Sequence, residues 1–190
     1  MVILNPNTVI EDSLEMAFGL RSYIDILSVI QQDNFVATPE FRKAFNVFYR
    51  VRQKSAAWYD KYYELMEEQR SANRSFREVL FCLEKISGTI DVSFASKMLA
   101  AVDPLLPIWD KYVLQNLGHL KRWKKMDGKD KMVRIDEAEK IYEDINSWYR
   151  IFVCSEDGKA CIATFDSAVP HYKEKLTEVK KIDFLLWSKR

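Results

Sequence analysis

Ser93-Phe-Ala-Ser-Lys-Met-Leu-Ala-Ala-Val-Asp-Pro-Leu-Leu-Pro-Ile-Trp-Asp110-Lys-Tyr-Val113 joins a small-residue helix to a carboxylate through a turn punctuated by two prolines. Ala95, Met98, Leu99 and Val102 fall at helical spacing, so one face of the segment is expected to pack inward. Pro104 disfavours helical geometry at Asp103 and ends the helix there. Pro107 is expected to set up a new helix through Ile108, Trp109, Tyr112, Val113 and Leu114, apolar on both sides of Asp110. That arrangement holds Asp110 half buried, near the positive end of the helix dipole. A carboxylate in such a place is costly unless it is paired or used.

Helical signals extend outward in both directions. Asp12-Ser13 is positioned to cap a first helix reaching about Gln32, with Leu14, Phe18, Tyr23, Ile26, Leu27 and Ile30 on one broad stripe. Thr38-Pro39-Glu40 is a second start signal, followed by Phe41, Phe45, Phe48, Tyr49 and Arg52 at helical steps. Residues 56–70 are helical by propensity and carry Trp58, Tyr59, Tyr62 and Tyr63, whose spacing suits burial against a neighbouring helix better than base stacking. Ser75 and Glu78 have the spacing of a capping box. Residues 135–152 form a further amphipathic helix. Glu156-Asp157-Gly158-Lys159 reads as a turn, and residues 160–168 as helix rather than strand. The ending Lys181-Ile-Asp-Phe-Leu-Leu-Trp187 is apolar enough to dock back on the body.

A chain of 190 residues with 48 % apolar side chains, five Trp, nine Tyr and eleven Phe holds enough material for one sizeable core. It is expected to form a single helical domain over 1–190, either one globule or two closely packed lobes sharing a cleft. Gly and Pro number only five each and alternating runs are few, which favours an all-α protein over a sheet protein. Basic residues number 29 and acidic ones 28, so no global field draws the chain onto nucleic acid and any such site must be a local patch. Cys82, Cys154 and Cys161 are an odd, widely spaced set that reads as reduced thiols in a cytoplasmic protein. They lack zinc-ligand spacing, and neither a metal nor another cofactor is expected. The apolar stretch from Met1 to Leu4 is far too short for a signal peptide or a membrane span, so no membrane partner is expected. No Ser, His and Asp set has recognisable triad spacing.

Ala95 followed by Leu106-Pro107-Ile108-Trp109-Asp110 and Val113 resembles the helix-hairpin-helix DNA glycosylase superfamily. Its members run from a hairpin into a helix and then into a loop of the form apolar-Pro-apolar-apolar-Asp-x-x-Val. The resemblance spans 77–118 and is that of a divergent member. It implies that Asp110 is the catalytic acid, stabilising the oxocarbenium-like sugar as the base leaves or activating the nucleophile. Trp109 and Tyr112 would then be pocket walls. The hairpin is degenerate: where the family has Leu-Pro-Gly-x-Gly, Ile86-Ser-Gly-Thr-Ile-Asp-Val92 keeps one glycine, Gly88, and adds an acid. Gly88 and Ser93 occupy the positions that would approach a DNA phosphate. In bifunctional members a lysine precedes the alanine by two residues, a register that holds Ser93 here. Lys97 lies four residues on, on the same helical face, and side chains lean towards a helix N-terminus, which makes it the second candidate for catalysis.

Between His119 and Arg134 lies a basic run, with Lys121, Arg122, Lys124 and Lys125 leading it and Asp127-Gly128 marking a turn. It is the candidate contact with a duplex DNA backbone, and a solvated surface loop is an equal reading. His119 reads as a cap or surface group. Two further functional readings stand beside the enzyme. One is a non-catalytic nucleic-acid or protein binding module of the same fold, with Asp110 kept as a helix cap or ion-pair partner. The other is a helical protein in which the Pro-Ile-Trp-Asp turn is coincidental.

Overall fold

The structure, a computed structural model, describes residues 13–32, 36 and 38–188, with side chains among them from Gly19 to Trp187. The expected roles of Asp12, Leu14, Phe18 and the first six residues lie outside that range. Ten α-helices and one 3-10 segment, Pro170–Lys175, make up the described chain, and it contains no strand. The all-α expectation holds.

The first helix, α1 (Ser13–Ile30), turns over Tyr23, Ile26 and Ile30 into the core. Helix α2 (Pro39–Phe48) starts where Pro39 predicts, although Thr38 makes no side-chain cap bond. It stops before Arg52, because Arg50 and Gln53 take positive φ values of 54° and 62°. Helix α3 (Ala56–Ala72) buries Trp58, Tyr62 and Tyr63, and the Tyr62 hydroxyl donates to the Phe94 carbonyl. These aromatics are core, as their spacing implies. Helix α4 (Phe76–Ser87) opens with the Ser75–Glu78 capping box and closes on Gly88, which is left-handed at φ 68°.

Helix α5 (Val92–Val102) departs from the one-sided reading. Ala95 to Ala101 are all buried, because α1, α3 and α4 pack around it. A helix apolar all round can only be stable when enclosed, and its alanines let the neighbours approach. The next element corrects the sequence reading. Helix α6 (Lys111–Asn116) begins at Lys111, not at Pro107, with Asp110 as its N-cap. The intervening carbonyls cannot enter a helical ladder because side chains from distant elements occupy them, as described below.

Helix α7 (Leu120–Lys124) lies inside the stretch read as a basic loop, and the turn at Asp127-Gly128 follows it with Gly128 at φ 76°. Helix α8 (Lys131–Cys154) is the long one, capped by Asp130. Residues 156–159 are not a turn. They form the first turn of α9 (Glu156–Ala168), because Ser155 caps the helix by accepting from the Gly158 N–H at 3.0 Å. Helix α10 (Glu178–Ser188) docks on α6, α8 and α9 with residues from Lys180 to Leu186 buried, as its apolar composition implies. The buried residues join into one hydrophobic cluster that draws on every long helix. No helix among the described residues is long and apolar enough to cross a membrane.

Candidate functional site

The segment from Asp103 to Asp110 has no helix of its own, and its backbone is held by side chains instead. Thr177 donates its hydroxyl to the Pro104 carbonyl at 2.7 Å, and the Lys180 ammonium donates to the Leu106 carbonyl at 2.7 Å. The Tyr142 hydroxyl donates to the Pro107 carbonyl at 3.0 Å, while the Trp109 N–H donates to Ser96 Oγ at 2.9 Å. Buried backbone groups need partners; Ser96 of α5, Tyr142 of α8, Lys180 of α10 and Thr177 just before α10 supply four from a distance, while Asp103 accepts locally from the Leu105 and Leu106 N–H groups. The result is a loop whose conformation is fixed immediately before Asp110.

Asp110 divides its carboxylate between two settings. Oδ1 accepts from the Tyr112 N–H at 2.8 Å, which is the helix cap. Oδ2 makes neither hydrogen bond nor ion pair with any described residue, and the side chain is half buried on the wall of a pocket. The pocket is small: the room it leaves for the centres of water-sized groups is about 30 Å³, enough for a few waters. Tyr23, Phe48 and Tyr49 form one side, and α10 brings Phe184 and Trp187 to the other. Lys97, Ile108 and Val113 complete the wall beside Asp110, with Lys180 and Asp183 behind.

Lys97 therefore joins Asp110 in one pocket, from a helix position 8 % exposed. Its ammonium lies 5.5 Å from the Phe94 ring centroid and has no hydrogen-bond partner among the described residues. Burial pulls the amine down to about 8; the Asp110 charge works against that shift and Arg50 adds to it. The folded state thus disfavours a proton that the unfolded chain, near 10.5, still holds. The penalty is complete below about pH 8 and is relieved as pH rises towards 10.5. Lys97→Met is expected to be more stable than the parent at pH 7, by a gain on the order of 2–3 kcal/mol that fades towards pH 10.5. Urea unfolding of both proteins at pH 7 and pH 10 checks this, and a pH-independent difference would count against it.

Behind the pocket lies a buried polar cluster. Lys180, 1 % exposed, pairs with Asp183 at 2.7 Å, and Asp183 also accepts from the Tyr149 hydroxyl. The hydroxyls of Tyr23 and Tyr49 are buried near this cluster without a partner among the described residues. Burial drives both phenols far above their ordinary range, so both remain protonated donors.

The other candidates lie elsewhere. Trp109 is not a pocket wall: its ring is buried in the core, 6.1 Å from Phe76 and 5.2 Å from Trp123 between centroids. Tyr112 lends its backbone to the cap, and its ring is absent from the pocket lining. Gly88 ends α4 with open space beside it, and its N–H donates to the Glu84 carbonyl. Ser93 sits in the first turn of α5 and does not reach the pocket lining. The hairpin acid, Asp91, forms an ion pair with Lys54 at 3.0 Å. Arg122 is neutralised by Glu137 and by Asp144, at 2.5 and 2.6 Å. Lys121, Lys124 and Lys125 are exposed and form no ion pair with the described residues, so they are what remains of the basic patch. None of the three lines the pocket.

The sequence pattern led to Asp110 and Lys97 but missed the tyrosines and α10. Tyr23 and Tyr49 read as stripe residues, and nothing local marks a hydroxyl as unpartnered. Among the described residues, no cluster of three His, Cys, Asp or Glu could hold a metal ion. Compared with protein-family models, curated proteins and solved structures, the chain matches none.

Proposed function

We propose that this chain is a DNA glycosylase-like protein that cleaves the N-glycosidic bond of a modified base with assistance from Asp110. One observation supports the reading above others: Asp110, whose Oδ2 has no partner among the described residues, lines a pocket from a loop anchored by four long-range hydrogen bonds. As the base departs with the bonding electron pair, positive charge gathers on the sugar, and a fixed carboxylate beside it lowers the barrier. Water then bonds to the sugar carbon and gives its proton to the carboxylate. Lys97 faces the same space, and its lowered amine is more readily neutral than a solvated lysine, as a nucleophile requires. The target nucleotide would have to leave the duplex, with Lys121, Lys124 and Lys125 contacting phosphates. The three cysteines, none in a disulfide, suit a reducing compartment such as the cytoplasm.

The test is base release from a panel of labelled duplexes carrying deaminated, oxidised and alkylated bases. At least one base is expected to be released, and Asp110→Asn should slow that release by about 100-fold or more. Asparagine is also a good N-cap, so the variant keeps the fold and its thermal melt should match the parent. If no base is released, the enzymatic reading fails.

A second reading has its own support. The Asp110 cap bond, the Lys54–Asp91 pair and the neutralised Arg122 are what a non-catalytic binding module of the same helices would retain. Binding to undamaged duplex that weakens steeply with salt, in the absence of base release, favours it.

A further inference from the structure

The candidate acid and amine sit beside a wall of rings that leaves room for only a few waters. Tyr23, Phe48, Phe184 and Trp187 form a connected set, with centroids 5.8 Å apart for Tyr23–Phe48, 5.7 Å for Tyr23–Phe184, 6.4 Å for Phe48–Phe184 and 5.9 Å for Phe48–Trp187. Any larger group reaches Asp110 and Lys97 from this side only if part of the wall moves.

The four rings are not held alike. Tyr23 and Phe184 are 1 % and 7 % exposed, so displacing either would unpack the core. Phe48 and Trp187 are half-buried, and each occupies the last turn of its helix, α2 or α10, where the backbone is least firmly bonded. Just beyond Phe48, Arg50 takes a positive φ of 54°, and its guanidinium lies 5.9 Å from the Trp187 ring centroid. The Trp187 indole N–H makes no hydrogen bond with the described residues. Behind the wall, Lys97 is 8 % exposed and has no hydrogen-bond partner among the described residues, a state that favours any movement bringing water to its ammonium. Contact between the rings favours closure, hydration of the amine favours opening, and such opposed tendencies set a closed form against a minor open one. We propose that Phe48 and Trp187 form a gate over Lys97 and Asp110, closed in this structure, which opens by movement of the last turns of α2 and α10 while Tyr23, Tyr49 and Phe184 stay in place. The gate goes beyond the glycosylase reading, because it governs access to the pair whatever the guest.

The experiment follows acetylation of Lys97 in the full chain by N-hydroxysuccinimidyl acetate, read by peptide mass spectrometry, at urea concentrations below the unfolding transition. In the parent, Lys97 should react slowly and at a rate nearly flat in urea, because opening the gate exposes little new surface, whereas global unfolding would make the rate climb steeply. Trp187→Ala and Phe48→Ala should each raise the Lys97 rate by about tenfold or more, with exposed Lys121 unchanged as the internal reference. Val47→Ala, at a side chain 65 % exposed and outside the wall, should leave the rate at the parent's value. A parent rate that tracks global unfolding overturns the proposal, and so does an unchanged Lys97 rate in a folded Trp187→Ala. Should that variant not fold, Phe48→Ala carries the same test. Gated acetylation without base release from any duplex would sink the glycosylase reading and leave the gate standing. Base release with an ungated Lys97 would do the reverse.

Discussion

Lys180→Met is expected to destabilise the protein by about 3–5 kcal/mol, because it leaves the Asp183 carboxylate buried without its counter-charge. Lys180 is the most deeply enclosed charge among the described residues, and its ammonium serves two partners at 2.7 Å, Asp183 and the Leu106 carbonyl. Methionine keeps the length and bulk of the stem, so the loss is electrostatic and not a cavity. Lys180→Met/Asp183→Asn removes both charges while leaving an oxygen for the Tyr149 hydroxyl. It should therefore be less destabilised than the sum of the single variants. Denaturant unfolding followed by fluorescence and circular dichroism measures the cycle. A single-variant loss below about 1 kcal/mol would show that solvent from the pocket already screens the pair.

Gly158→Ala is the second large effect, and its sign runs against helix propensity. In a helix interior the change ordinarily gains about 1 kcal/mol. Here a Cβ would stand 1.8 Å from the Phe152 carbonyl oxygen and 2.7 Å from its carbon. That oxygen is already fixed by the Ser155 N–H at 3.0 Å and the Ser155 hydroxyl at 2.7 Å, so backbone must move at the corner between α8 and α9. The net expectation is a loss of about 3 kcal/mol, or roughly 10 °C in Tm for a chain of this size. A variant that melts at or above the parent would mean that the corner relaxes freely.

This glycine also shows where local signals mislead. Glu-Asp-Gly-Lys has the composition of a turn, yet Ser155 offers a cap one residue earlier and the acids then suit the first turn of a helix. Pro107 misled for a different reason. Its signal for a helix start is sound as local chemistry, but Lys180, Tyr142 and Ser96 claim the neighbouring backbone groups. Those partners come from residues 96, 142 and 180, and no local window contains them. The capping box at Ser75, the Pro39 start, the buried aromatics of α3 and the placement of Asp110 at a helix start depended on neighbours within four residues, and they were legible. The pocket was legible only at Lys97 and Asp110, which share one sequence segment. Its aromatic walls arise where α1, α2 and α10 meet, so their roles depend on packing that no periodicity encodes.

The anchoring of the Asp103–Asp110 segment by Thr177 and Lys180 has a temporal consequence. A nascent chain emerging from the ribosome would contain the acid, the amine and the turn between them before Thr177, Lys180, Phe184 and Trp187, which supply two of the four clamps and one wall of the cavity. Assembly of the site therefore waits for a segment made well after the residues that carry its chemistry, and a product truncated before α10 would carry that chemistry on an unanchored strand.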